Sequence, residues 1–446
     1  MGISVRMFNV ILIGFTFMLV FTAFQTGGLI QQTVLKSIQN ETNGEYTGDG
    51  YWSFCIIYAV FAVSNWIAPS IIALMSPRVS MLVGAITYNF FISQFLYPTA
   101  EGLYIASALV GSGAAVIWTG QGTFLTKNST KETMSRNSAI FWAMMQLSLI
   151  WGNIFVYFVL VGKEHIDKET RILVYGGLLA VGIIGNLLMI CFRRPPQDND
   201  DEEEEKKTLF VSGIVNSFAL LKTSKMLLLS IAFIYTGLEL SFFSGVYSTA
   251  IGFTMEFGDD SSKYVPISGL LIGTGEVLSG LAFSIFDDYT KRMGRSKIVL
   301  MGFVVHVATF GLAFINLPAN SVHGKTKDNG IIHSSIELAL LCSFLLGFGD
   351  GCFNTQIYSL IGYVYSKDSS SAFGLFKFMQ SIAAAAFFFL STILILPYQL
   401  GVLLVSASLG TICFMCVSGH APESDEGKET LSLRNTHGAK NNNGKL

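Results

Sequence analysis

Charged residues are scarce in this sequence. Asp, Glu, Lys and Arg make up 13% of its 446 residues, where soluble proteins have about 25%. Hydrophobic residues reach 51%, and the mean hydropathy of +0.53 comes from long apolar blocks. A soluble core has no room for so many apolar blocks, so the lipid bilayer is the expected solvent.

Motifs of enzymes are also lacking. The loops carry no HExxH, nucleophile elbow, phosphate-binding loop or Cys/His cluster, and most are too short to hold a catalytic site. Gly269, Gly273, Gly275 and Gly280 fall within one apolar block, where they predict close helix contact rather than a nucleotide loop. We therefore expect no enzyme, no cofactor, no metal site and no nucleic-acid partner.

Cysteines are few, and all six lie in or at the ends of predicted helices. A disulfide framework would instead lie in loops on the oxidising side, so no structural disulfide is expected. Cys413 and Cys416 have CxxC spacing, but in an apolar helix this favours packing or lipidation over a redox or metal site.

Long apolar blocks are abundant, and each is long enough to cross a bilayer core of about 30 Å as a helix. The twelve blocks run roughly over residues 8–30, 52–75, 79–97, 103–125, 137–161, 172–192, 226–253, 264–287, 297–316, 334–357, 371–395 and 398–418. The first continues without a small-residue cleavage site, so it predicts a retained helix rather than a signal peptide.

The distribution of Lys and Arg predicts the orientation. If the N-terminus is cytoplasmic, most of the 28 Lys and Arg residues fall on the cytoplasmic side. Both termini are therefore expected in the cytoplasm, although plasma membrane and endomembrane are not distinguished. A glycosylation sequon at Asn40 falls in the first loop on the opposite side, whereas the sequon at Asn128 should be silent.

Composition divides the chain into four segments. Residues 1–194 and 226–420 are predicted to form an N-terminal and a C-terminal half of six helices each. Between them, residues 195–225 form a charged cytoplasmic linker that begins with two prolines and an acidic run. Residues 421–446 are polar and are predicted to be a disordered cytoplasmic tail.

The two halves repeat the same pattern in the same order. Residues 21–25 match 235–239, 111–114 match 347–350, 142–146 match 376–380, and 64–65 match 275–276 more weakly. Six helices repeated with the same end inside are the parallel repeat of the major facilitator fold. The sequence thus predicts an all-α polytopic membrane protein with twelve transmembrane helices in two related halves.

Ionisable residues inside the predicted spans occur only in the second half. They are Glu239, Glu276, His306, Asp350 and Lys377. At the matched positions, the first half carries Gln25 for Glu239, Asn65 for Glu276, Ala114 for Asp350 and Ala143 for Lys377. A charge in hydrocarbon is costly, so these groups should face a cavity or a partner. We expect Lys377 to pair with Asp350 or Glu239, and His306 to serve packing.

Two interpretations of the acids remain open. The acids carry a proton through a transport cycle, or they are neutral, hydrogen-bonded groups that fix helix packing. In a major facilitator, helices one, four, seven and ten line the central cavity. The cavity candidates on these helices are Glu239, Asp350, Asn354, Gln25, Trp118 and Gln121. Lys377 and Glu276, on helices eleven and eight at the contact between the halves, complete the set of substrate or proton-coupling candidates.

Several longer runs of sequence resemble the Unc-ninety-three-like branch of the major facilitator superfamily, closest to its major-facilitator-domain-containing members. The runs are FTAFQT at 21–26, RNSAIFWA at 136–143, TGLELSFFSGVY at 236–247, CSFLLGFGD at 342–350, CFNTQ at 352–356 and FKFMQS at 376–381. The resemblance implies the fold over about residues 5–418. It also implies two kinds of function, since this branch includes accessory subunits of channels and a receptor-trafficking partner.

The gating loop of the superfamily survives only in part. After helix eight the candidate gating residues are Lys291, Arg292, Gly294 and Arg295, with Lys where an acid is expected, and after helix two only Ser76-Pro77-Arg78 remains. We favour a transporter that moves an unknown small solute or ion by alternating access, with proton coupling left open. The alternative is a non-transporting regulatory or trafficking partner of a channel or receptor.

Overall fold

The structure, a computed structural model, describes residues 4–129, 133–163, 166–194, 219–285, 293–365 and 369–419. Nearly all of these residues are helical. The helices are α1 (Val5–Glu41), α2 (Gly50–Ser64), α3 (Ala68–Ser93), α4 (Ala100–Lys127), α5 (Met134–Leu160), α6 (Lys168–Met189), α7 (Ser224–Phe253), α8 (Tyr264–Ile285), α9 (Arg295–Asn316), α10 (Ile336–Val364), α11 (Ser369–Ser391) and α12 (Leu396–Gly419). Most of the predicted linker and the whole predicted tail lie outside the described residues.

Ten helices of the described chain are long and apolar enough to cross a membrane, which makes this a multi-pass membrane protein. The two others, α2 and α3, are adjacent in the chain. α2 is apolar but has only 15 residues, and α3 is interrupted at Ser76, which has non-helical backbone angles. The predicted second and third spans therefore correspond to residues 50–75 and 77–93, and the count of twelve stays a prediction.

Two helices have features that matter for the site. α1 has 37 residues and is about 55 Å long at 1.5 Å per residue. α7 contains a π-helical turn at Phe242–Tyr247, immediately after its first stretch ends at Ser241. Such turns widen a helix locally and occur often at functional sites.

The helices pack in the same way in both halves. α3 and α2 contact α4, as α9 and α8 contact α10, and α1 contacts α5 and α6, as α7 contacts α11 and α12. The halves meet mainly through α2 with α11 and α5 with α8. This is the expected parallel repeat, so the predicted major facilitator architecture is confirmed.

Matching contacts fix the register between the repeats. Ser53 in α2 bonds Ser107 in α4 at 2.8 Å, and Ser268 in α8 bonds Ser343 in α10 at 2.9 Å. Gly111 likewise lies against the carbonyl of Ile57, and Gly347 against that of Ile272.

This register corrects one sequence match by a helical turn. Because Ile57 corresponds to Ile272, the counterpart of Glu276 is Phe61, four residues after Ile57, rather than Asn65. The sequence match of Asn65 with Glu276 was therefore offset by four residues. The offset was not apparent from the sequence because residues four apart lie on the same helix face.

Candidate functional site

Glu276 joins the two halves through a hydrogen bond within the membrane-spanning region. The side-chain amide of Gln146 in α5 donates to Glu276 Oε2 in α8 at 3.0 Å. Both side chains are partly exposed. One carboxylate oxygen is therefore held by the opposite half at a position that other groups can reach.

Asp350 lies on α10 with Asn354 one turn later. Asn354 Nδ2 donates to Asp350 Oδ1 at 2.6 Å, as expected for residues four apart on one helix face. The charge of Asp350 also interacts through space with Glu239, Glu276 and Lys377. Asp350 and Asn354 thus form a polar pair on one face of α10.

Lys377 does not form the ion pair that we expected. Its Nζ donates to Gln380 Oε1 at 2.9 Å and lies over the rings of Phe376 and Tyr358 at 4.8 and 5.5 Å. Among the described residues, no carboxylate is within salt-bridge distance of it. The expectation failed because an amide one turn away on α11 and two aromatic faces satisfy the ammonium group locally.

The candidates of the first half, Gln25, Trp118 and Gln121, are all uncharged side chains. Gln25 Oε1 accepts a hydrogen bond from Ser148 at 2.6 Å, which joins α1 to α5. Trp118 stacks on Trp142 at 5.7 Å and touches Phe21 at 5.0 Å, while Gln121 is buried. No ion pair involves these candidates in the part of the chain that the structure describes.

Glu239 is fully buried and contacts His306, a pairing that sequence reasoning missed. Its Oε1 lies 3.0 Å from His306 Nε2, and both side chains have 0% exposure. On the other side of the ring, Nδ1 lies 2.5 Å from the hydroxyl of Tyr235. Glu239, His306 and Tyr235 are hereafter called the buried triad.

A sequence signal for His306 does exist. Gly302, His306, Thr309 and Ala313 recur at spacings of four and three along α9, and all are buried. This stripe of small residues faces the glycine-rich segment of α10, so closely that a Cβ on Gly349 would overlap the His306 ring. A histidine within such a stripe is at a helix contact rather than facing lipid.

The candidate gating loop is only partly described. Lys291 and Arg292 lie outside the described residues. Gly294 precedes α9 with φ +79°, and Arg295 donates from Nε to Ser359 at 3.0 Å while lying over the Tyr363 ring. Arg295 therefore ties the start of α9 to the end of α10.

The two sequons differ in accessibility. Asn40 is exposed in the last turn of α1. Asn128 is buried, and its side chain accepts from Asn9 and donates to Phe124 O, both at 2.8 Å. A glycan on Asn128 would require these bonds to break.

The halves are in contact at the face that carries the α1–α2 and α9–α10 loops. Tyr51 donates to the carbonyl of Val322 at 2.8 Å in a buried position. Below it, Phe54 and Tyr58 stack on Phe388 of α11 at 4.7 and 5.7 Å. This face is closed by contacts between the halves.

Comparison with known proteins places the chain in a family. A family model described as ion channel regulatory protein UNC-93 matches residues 43–415. UNC93-like protein MFSD11 of Xenopus laevis is 39% identical over 93% of this chain and 96% of its own length. UNC93-like protein 3 of Arabidopsis thaliana is 27% identical over 89% of this chain and 83% of its own.

Solved structures agree with this fold. The peptide transporter POT in complex with alafosfalin has a TM-score of 0.67 at 11% identity, covering 93% of this chain and 94% of POT. The nucleoside transporter NupG has a TM-score of 0.63 at 15% identity, covering 91% and 99%. The likeness covers nearly the whole chain in both cases, and the family match spans most of it: this protein is a member of the UNC-93 family with the fold of major facilitator transporters.

Proposed function

We propose that this protein is a secondary transporter that moves a small solute by alternating access, coupled to protons. The observation that carries the proposal is the acidic cluster of Glu276 and Asp350 on α8 and α10. Both carboxylates are partly exposed, and amides rather than cations bind them. Charged groups this deep in a membrane protein are costly, and they commonly mark a substrate or ion pathway.

The contacts of Glu276 support a role in coupling the two halves. The Gln146 to Glu276 bond crosses between halves that must move relative to each other in alternating access. A solute or proton that binds Glu276 competes for the same carboxylate oxygens. Binding would therefore change the contact between the halves.

The closed face supports the same mechanism. Contacts such as Tyr51 to Val322 join the halves at one face, as alternating access requires in one of its states. The same proposal places both termini in the cytoplasm, residues 195–225 in a cytoplasmic linker between the halves, and a glycan on Asn40. No enzymatic activity is proposed.

The test is uptake by purified protein in proteoliposomes, with a panel of labelled amines, amino acids, peptides and nucleosides and an imposed pH gradient. We expect at least one solute to enter faster than in empty liposomes. Glu276→Gln and Asp350→Asn should each lower that uptake by about tenfold or more. Asp328→Asn, in the α9–α10 loop, is the matched control and should leave uptake unchanged. Uptake that neither cluster variant alters would overturn the proposal.

A second function is favoured by the family model, whose description is a channel regulator. In that case the protein binds a channel or receptor subunit and moves no solute. Affinity purification from native membranes would then recover a membrane protein in stoichiometric amount, equally with the wild type and Asp350→Asn. If no such partner is recovered, the regulatory function loses its support.

A further inference from the structure

We propose that the buried triad of Glu239, His306 and Tyr235 is the site that binds the coupling proton, one per molecule. The inference rests on the proposed transporter only for the use of that proton. The proton site itself rests on geometry. It also separates two roles, because the partly exposed acids Glu276 and Asp350 then serve the solute pathway.

The hydrogen bonds determine how the His306 ring is protonated. Nε2 lies 3.1 Å from the carbonyl of Leu346, which can only accept, so Nε2 must carry a hydrogen. In the neutral ring Nδ1 then accepts from the Tyr235 hydroxyl, 2.5 Å away. If the ring gains a proton, Nδ1 donates to that hydroxyl instead. Tyr235 can thus adjust to either form without moving.

Glu239 is poised next to this ring without a hydrogen bond of its own. Oε1 is 3.0 Å from His306 Nε2, but the Nε2 hydrogen points to Leu346, and neither carboxyl oxygen has a donor in suitable geometry among the described residues. A fully buried carboxyl group without a donor is unusual. Glu239 and the ring are thus close enough to share one proton, which lies either on the carboxyl group or on His306 as an ion pair with the carboxylate 3.0 Å away.

Charge balance favours one proton on Glu239 and His306 together. With one proton, the two groups are either both neutral or an ion pair, and the net charge is zero. A second proton or the loss of the first leaves a net charge in an apolar enclosure, which is costly. One proton is therefore the occupancy that suits the sealed state.

Titratable groups on three neighbouring helices surround the triad. Glu276 on α8 and Asp350 on α10 interact electrostatically with Glu239, and so does Cys352 on α10. Lys377 on α11 acts on Asp350, and α12 carries no charged residue.

Exchange of this proton requires movement of the helices, since Glu239 and His306 have 0% exposure. The π-helical turn begins three residues after Glu239, where the backbone of α7 is already widened. The His306 ring also stacks on the rings of Phe310 and Phe353. Opening of α7 against α9 would expose the triad, so that proton exchange is linked to a conformational change.

The first half carries a neutral copy of the same site. Gly84 and Gly302 both pack on the glycine backbone of the next helix, Gly113 and Gly349, so α3 and α9 are in register. Tyr88 then corresponds to His306, four residues further on in each helix. Together with Phe21 and Gln25, it replaces the triad by side chains that lack the acid and the base.

This copy supplies the test variant, Tyr235→Phe/His306→Tyr/Glu239→Gln, which introduces side chains that the fold already packs at the equivalent site. The probe is infrared difference spectroscopy of purified protein in lipid nanodiscs during steps between pH 5 and pH 9. We expect the wild type to show one pH-dependent band, from a protonated carboxyl group or from an imidazolium, that is absent from both this variant and Glu239→Gln. The band should persist in Glu276→Gln and Asp350→Asn.

The outcomes separate this inference from the proposed function. If the band survives in Glu239→Gln, or disappears in Asp350→Asn instead, the triad is not the proton site. If Glu239→Gln loses the band and its solute uptake no longer responds to a pH gradient, the inference holds. A Glu239 band in a protein that takes up no solute would defeat the transporter and leave the proton site in place.

Discussion

Ser76 and Gly294 adopt the same backbone conformation at the start of corresponding helical segments. Ser76 has φ 66° and ψ 151°, and Gly294 has φ 79° and ψ 154°. This region is essentially restricted to glycine, because a Cβ clashes with the backbone there. Ser76 therefore holds a strained conformation that its counterpart adopts freely.

We expect Ser76→Gly to stabilise the protein by about 1 kcal/mol, because the strain at this position is released. Thermal unfolding of the purified protein in detergent would show a higher midpoint. Gly294→Ser introduces the same strain and should lower the midpoint. A lower midpoint for Ser76→Gly would show that the serine side chain contributes more than the strain costs.

Gly349→Ala should destabilise the protein by about 1–3 kcal/mol, the range for overpacking a close contact. The new Cβ would overlap the His306 ring, which Tyr235, Phe310 and Phe353 hold in place. Gly362→Ala on the same helix is the control, because no atom lies within 4 Å of its added Cβ. Equal midpoints for the two variants would mean that the His306 ring moves aside without cost.

His323 should make stability depend on pH. Partial burial lowers the pKa of His323 below its ordinary value of 6.5, and the charge of Lys36 lowers it further. The unfolded chain then takes up this proton first, so stability falls as pH drops below about 6.5. His323→Gln should flatten the dependence of the unfolding midpoint between pH 7 and pH 5. His333→Gln, at a side chain that is 81% exposed, should not.

Asn40 should carry a glycan when the protein is made in eukaryotic cells. Treatment with a glycosidase should increase the gel mobility of the wild type and leave Asn40→Gln unchanged. Asn128→Gln should behave as the wild type in this assay, because Asn128 is buried against Asn9. If Asn128→Gln alone lost the change in gel mobility, Asn128 would carry the glycan, and the loops would have the opposite orientation to the predicted one.

The sequence was sufficient for the fold because hydropathy and repetition are properties of segments. Apolar blocks located most helix ends to within about four residues, and the repeat predicted their arrangement. The exceptions are α1 and α10, which continue to Glu41 and Val364, past the predicted ends at residues 30 and 357. It was insufficient for the partners of single side chains. Lys377 binds Gln380 on its own helix. Glu239 on α7 contacts His306 on α9, and this contact depends on how α9 is rotated about its axis. A shift of one turn also misplaced the counterpart of Glu276, since residues four apart share a helix face.

The length of α1 has a mechanical consequence. A rigid rod of about 55 Å that tilts about its midpoint by about ten degrees moves each end by about 5 Å. Near its end, Gln32 accepts from the amide of Gly50 at 2.6 Å and donates to Asp49 at 2.8 Å, so the start of α2 is fastened to it. Gln32 lies nine residues beyond the midpoint of α1, so the same tilt would move it by about 2 Å. We therefore expect a tilt of α1 about Gln25 to act as a lever that pulls Tyr51 away from Val322.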